Sequence, residues 1–88
     1  MASSKVIAYY KRLMDLAKLQ VASASRDYTQ DVEASFRFFL ENGFFSEAHK
    51  EREMKSYLKY AKTYCKYELA REKYYNLKRL ELCQEESR

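Results

Sequence analysis

Few residues in this chain have the type and spacing that catalysis needs. There is one histidine, His49, and there are two cysteines, Cys65 and Cys83. His49 has no cysteine at metal-ligand spacing and falls in the expected first turn of a helix, so it reads as a surface residue. No Gly-rich phosphate loop, nucleophile elbow or Cys-x-x-Cys pair occurs. The glutamates read as solvated rather than paired in a cleft. The expectation is a protein without catalytic residues, without a metal site and without a prosthetic group of its own. What is patterned is cationic: Lys55, Lys59, Lys62 and Lys66 form a stripe with no acid between Met54 and Tyr67, and Tyr57, Tyr60, Tyr64 and Tyr67 run beside it. Three readings fit such a stripe. It can be a solvated lysine face edged by amphipathic tyrosines, a docking face for an acidic protein, or a surface for phosphates and stacked bases.

The elements that carry these residues must be helical. The chain has 88 residues, no Pro and one Gly, which leaves almost no supply of hairpin turns for a β fold. Apolar residues make up 47% and charged residues 34%, a patterned rather than disordered composition for one small domain. No apolar run approaches the roughly 20 residues of a membrane span, and no secretory apolar region is evident. Net charge is uneven: +4 over residues 1–26, −4 over 27–53 and +4 over 54–88. The cysteines lie 18 residues apart in helical sequence, about 27 Å along one straight helix, so two reduced thiols are expected.

The first helix is expected over about Ser4 to Ala24, capped by Ser3 or Ser4. Ile7, Tyr10, Met14, Ala17, Val21 and Ala24 recur at steps of three and four. Val6, Tyr9, Leu13 and Leu16 form a second row beside them, so this helix is expected to lie between two partners. Ser23, Ser25, Arg26 and Asp27 interrupt the pattern. A second helix is expected from Asp27, with Val32, Phe36, Phe39 and Leu40 on its apolar face and a stop at Asn42-Gly43. Phe44 and Phe45 follow, to fold back or to meet a partner. A third helix begins at Ser46 and runs about 40 residues, or roughly 60 Å, which overshoots the first two. Its face moves from Met54, Tyr57, Leu58, Ala61, Tyr64 and Cys65 to Ala70, Tyr74 and Leu77. The expected fold is therefore all-α. It is an antiparallel three-helix bundle with an over-long third helix, a domain at 1–67 and a helical docking extension at 68–88 that uses Ala70, Tyr74 and Leu77.

The opening helix also resembles a known family. Lys5-Val6-x-x-x-Tyr10-Lys11-Arg12-x-x-x-Leu16, with Tyr9-Tyr10-Lys11 at the motif triplet, is similar to the LYR-motif family of small mitochondrial three-helix proteins. It is closest to the version in the LYR accessory subunit of respiratory complex I. Phe39-Leu40-Glu41-Asn42 sits where that family carries its second-helix Phe, and Phe36 competes for the assignment. The triplet departs at two places, Tyr9 for Leu and Lys11 for Arg, and Lys lacks the planar fork of Arg. The resemblance covers about residues 5–65. It implies a non-catalytic accessory subunit of a mitochondrial respiratory-chain complex, with complex I favoured. The place implied is the matrix side of the inner membrane, peripheral and without a span. It implies a mitochondrial acyl carrier protein as partner, whose acyl-phosphopantetheine arm enters between three helices past Tyr9, Tyr10, Lys11, Arg12, Lys18, Phe36 and Phe39. The alternative from the residues alone is a small basic helical adaptor or nucleic-acid-binding protein, dimeric through Ala70, Tyr74 and Leu77.

Overall fold

The computed structural model describes residues 4–86, so Ser3, one of the two expected caps, lies outside the described residues. The described residues form two helices, α1 over Ser4–Asn42 and α2 over Glu47–Glu86. They pack antiparallel into a rod of 69 × 18 × 13 Å.

The three-helix expectation is thereby corrected, since its first and second helices are one. Ser23, Ser25, Arg26 and Asp27 are modest helix formers, but none costs more than a few tenths of a kcal/mol against Ala on the usual scales, roughly 0.7 at most. Neither Gly nor Pro is among them, so nothing removes a backbone bond or demands another conformation. The Thr29 hydroxyl donates to the Ser25 carbonyl at 2.9 Å, inside an unbroken α1. With α1 at 39 residues and α2 at 40, the last helix has a partner along its whole length and overshoots nothing. The boundary expected at residues 67 and 68 falls inside continuous α2.

The stop at Asn42-Gly43 is where the sequence placed it. Gly43 takes φ +81°, a conformation that L side chains rarely adopt, and its N–H donates to the Phe39 carbonyl at 2.7 Å. The Asn42 side-chain amide donates to the Phe38 carbonyl at 3.0 Å. Ser46 opens α2 as its N-cap, with its hydroxyl accepting from the His49 N–H at 3.5 Å and Glu47 in the favourable first turn.

The seam between the helices follows steps of three and four for its whole length. On α1 it continues the row from Ile7 to Ala24 through Tyr28, Asp31, Ser35 and Phe38, every one buried or half-buried. On α2 it runs through His49, Glu53, Ser56, Tyr60, Thr63 and Tyr67, then Ala70, Tyr74, Leu77 and Glu81, all half-buried. A 3.5-residue period is the signature of a left-handed supercoil, and this is an antiparallel coiled-coil hairpin. Its register is fixed by Phe38 against His49 with ring centroids at 5.0 Å, by the Ser56 hydroxyl donating to the Asp31 carboxylate, and by Tyr28 stacked on Tyr60 at 6.3 Å. Continued toward the open end, that register places Ala24 opposite Thr63, Ala17 opposite Ala70 and Met14 opposite Tyr74.

The core is thin. Among the described residues, Ile7, Ala17, Ala24 and Ser35 are buried and no large side chain is fully so. Met14 and Phe39 are each half-buried and lie 25 residues apart on one helix, about 38 Å, so they share no core.

Candidate docking surfaces

With so little inside, the side chains of interest lie on the two flanks of the rod. The first flank begins at the turn. Phe39 stacks on Phe45 at 4.5 Å and neighbours Phe36 at 6.5 Å, while Phe44 meets Phe38 edge-on at 5.5 Å. Phe44 and Phe45 thus fold back on α1, yet stay 60% and 46% exposed. The helical period carries this flank along α1 through Val32 and along α2 through Met54, Tyr57, Ala61 and Tyr64. The Tyr28–Tyr57 contact at 5.7 Å bridges the two helices on that side. A groove of about 460 Å³ runs there between Tyr28, Met54 and Tyr57, with Lys50 and Glu53 at its rim. The Tyr64 hydroxyl titrates above the ordinary phenol range. The main cause is the Glu68 carboxylate one turn on, which repels the phenolate and also accepts its hydrogen bond.

The opposite flank is cationic. Lys55, Lys59, Lys62 and Lys66 are exposed along α2, and across from them α1 presents Gln20, Ser23 and Asp27. A groove of about 620 Å³ lies between these banks, floored by Ala24 and Thr63, with Leu58 in its lining. Toward the open end the α1 bank continues as the second apolar row. Val6, Tyr9 and Leu16 are 41%, 57% and 51% exposed, and Leu13 is half-buried. So one of the two rows expected to bury this helix faces α2, and the other faces outward.

The residues that the family resemblance singles out fall into two distant groups. Tyr9, Tyr10, Lys11, Arg12 and Lys18 lie in the open half of the rod, whereas Phe36 and Phe39 lie at the turn, about 39 and 44 Å from Tyr10 along α1. Tyr10 is half-buried in the seam with the Lys73 ammonium 5.8 Å from its ring centre. Lys11 pairs with Asp15 at 3.3 Å, and its ammonium lies 6.0 Å from the Tyr74 ring. Arg12 and Lys18 are exposed. The cavities named here are open surface grooves, and two helices enclose no interior of the kind three would form. Ala70, Tyr74 and Leu77, expected as a free docking face, are half-buried in the seam against α1. Among the described residues no helix is long and apolar enough to cross a membrane.

Reasoning from sequence missed the polar seam positions Asp31, Ser35, Glu53, Ser56 and Thr63. The unbroken alternation of three and four from His49 to Glu81 was available to find them, but an apolar pattern cannot show a polar interface. Fold and flanks together define a class, the extended antiparallel helical hairpin with a seam that turns polar toward the loop and two dissimilar outer faces. Comparison of the chain with protein-family models, with curated proteins and with solved structures finds no match.

Proposed function

We propose that this chain is a non-catalytic helical-hairpin adaptor, held as an accessory subunit in a larger protein assembly through its aromatic flank. One observation carries the reading. Phe36, Phe45, Met54, Tyr57 and Tyr64 are each 45–59% exposed on one side of a rod in which no large side chain among the described residues is fully buried. Aromatic side chains present roughly 150–250 Å² each, so the patch offers about 400 Å² of apolar surface. That equals a large patch on a monomer, and it is about half of what a standard interface takes from each partner. A long straight element with an apolar flank suits a clamp or spacer between subunits.

The host implied by the resemblance, a respiratory-chain complex on the mitochondrial matrix side, is carried into this proposal on the Tyr10-Lys11-Arg12 string alone. Acyl carrier protein stays in it as a surface partner of the Tyr9–Arg12 segment, without an arm inserted among three helices. The test is native mass spectrometry of the tagged chain isolated from its own cells, beside the double variant Phe36→Glu, Tyr57→Glu. A defined complex with the parent chain, lost in a variant that keeps its helical circular dichroism, supports the adaptor. Recovery of the parent chain by itself refutes it, and the masses recovered identify the host and any acyl carrier.

A further inference from the structure

The lysine flank is not explained by the aromatic one. Lys55, Lys59, Lys62 and Lys66 stand at steps of four, three and four, a single edge of α2 about 16 Å long. No carboxylate pairs with any of them within 4.0 Å among the described residues; the ion pairs formed there are Lys11–Asp15, Lys50–Glu47, Arg71–Glu68 and Lys78–Glu81. The next acid-free run of α2, between Glu72 and Glu81, holds Lys73, Lys78 and Arg79, and there Lys78 pairs with Glu81, so the Lys55–Lys66 edge is where most uncompensated positive charge collects.

The groove beside it is not uniformly cationic. Its α1 bank is Gln20 and Ser23, with Asp27 and the Asp31 carboxylate toward the turn, and its floor is Ala24. A nucleic acid backbone laid in the groove would meet the like charge of two carboxylates on this bank. A helix is a better fit. One edge can carry acids to meet the lysines, a small apolar stripe can rest on Ala24 and Leu58, and the other edge can stay polar against Gln20 and Ser23. Beyond Gln20 the same bank becomes Leu16 and Leu13, so the apolar stripe continues for at least another turn. The lysine steps match the heptad spacing by which flanking charges set partner choice in coiled coils.

We propose that this groove binds an acidic amphipathic helix of a partner protein, turning the hairpin locally into a three-helix coil. The occupant is recognised by glutamate or aspartate repeating along the edge of an apolar stripe. The inference does not depend on the aromatic flank, which faces the other way.

The test uses the full chain and synthetic helical peptides of about 18 residues, long enough to cover the ridge. One carries an alanine–leucine stripe edged with glutamate, and the other has glutamine in place of each glutamate. The glutamate peptide should bind at least about tenfold more tightly in low salt, the sum expected of several exposed ion pairs, and the preference should fade as salt rises. Lys59→Glu with Lys62→Glu should abolish that preference. Folding should persist, because both positions are exposed and Lys62→Glu places a carboxylate four residues before Lys66, the favourable order. Equal binding of the two peptides overturns the proposal. So does tighter binding of a short RNA or DNA duplex that needs the same lysines, which would assign the ridge to nucleic acid. Self-association of the parent chain that the double variant removes would also overturn it, by making a second copy the occupant.

Discussion

Replacing Arg26 by proline separates one continuous helix from two helices joined by a loop. Arg26 is exposed and lies in the middle of α1, so its side chain contributes little and the effect falls on the backbone. Proline there removes the hydrogen bond from residue 26 to the Ala22 carbonyl and drives its ring into that carbonyl, at a cost of about 3 kcal/mol or more. A chain of 88 residues has of order 4–13 kcal/mol of total stability. The loss is therefore a large share of the whole, and for a domain of this size it lowers the Tm by roughly 12–24 °C. Thermal unfolding followed by circular dichroism at 222 nm reads it, with Arg26→Ala as the reference for side-chain loss. Glu47→Pro is the internal control. It falls at the first residue of α2, where the missing N–H is unpaired in any case, so it should change stability by less than about 1 kcal/mol. If Arg26→Pro melts within a few degrees of Arg26→Ala, α1 is not continuous through residues 23–27 and the hairpin is refuted in favour of three helices.

Three further outcomes follow from the same geometry. Gly43→Ala should cost about 1–2 kcal/mol in a urea titration even though open space surrounds the site, because only the φ of +81° opposes the methyl group. Asp31→Leu together with Ser56→Leu should leave stability equal or higher, whereas Ser56→Ala alone should lower it by about 1 kcal/mol by taking a donor from a half-buried carboxylate. A double-mutant cycle on these two positions checks both. Oxidation should link chains only between molecules, because Cys65 and Cys83 are exposed on one straight helix about 27 Å apart. A non-reducing gel should then show dimers and larger species; changing either cysteine to serine should leave dimers only, and changing both or adding reductant should remove every linked species.

The legible parts of this fold are those where the local chemistry has one outcome. Asn42-Gly43 could only end a helix and Ser46 could begin the next, and both do. The row from Ile7 to Ala24 does face a partner helix. The misread break at Ser23–Asp27 rested on polar residues alone, and polarity moves a residue to the surface without ending a helix. The apparent change of face along α2 has a related cause. Near the turn the seam is made of His49, Glu53, Ser56 and Thr63, so the apolar residues Met54, Tyr57 and Tyr64 mark the outer flank. Toward the open end the seam is Ala70, Tyr74 and Leu77, and there the apolar pattern does mark the interface. The resemblance carried its site residues onto three helices that meet. With two helices side by side, Tyr10 and Phe36 cannot approach each other.

A single turn at one end of the rod also dictates an order of assembly. Phe39 and Phe45 are six residues apart in sequence, whereas the seam ends Ile7 and Glu81 are separated by nearly the whole chain. Closing the distant pair first would incur the entropy of a very long loop, while each pair next to an already formed layer closes only a few more residues. The hairpin is therefore expected to zip from Gly43 outward, with native contacts local to the growing front. In the folded state the same gradient should run in reverse, with backbone amides near Ile7 and Glu81 exchanging first and those flanking the turn-proximal layers last in a hydrogen-exchange measurement.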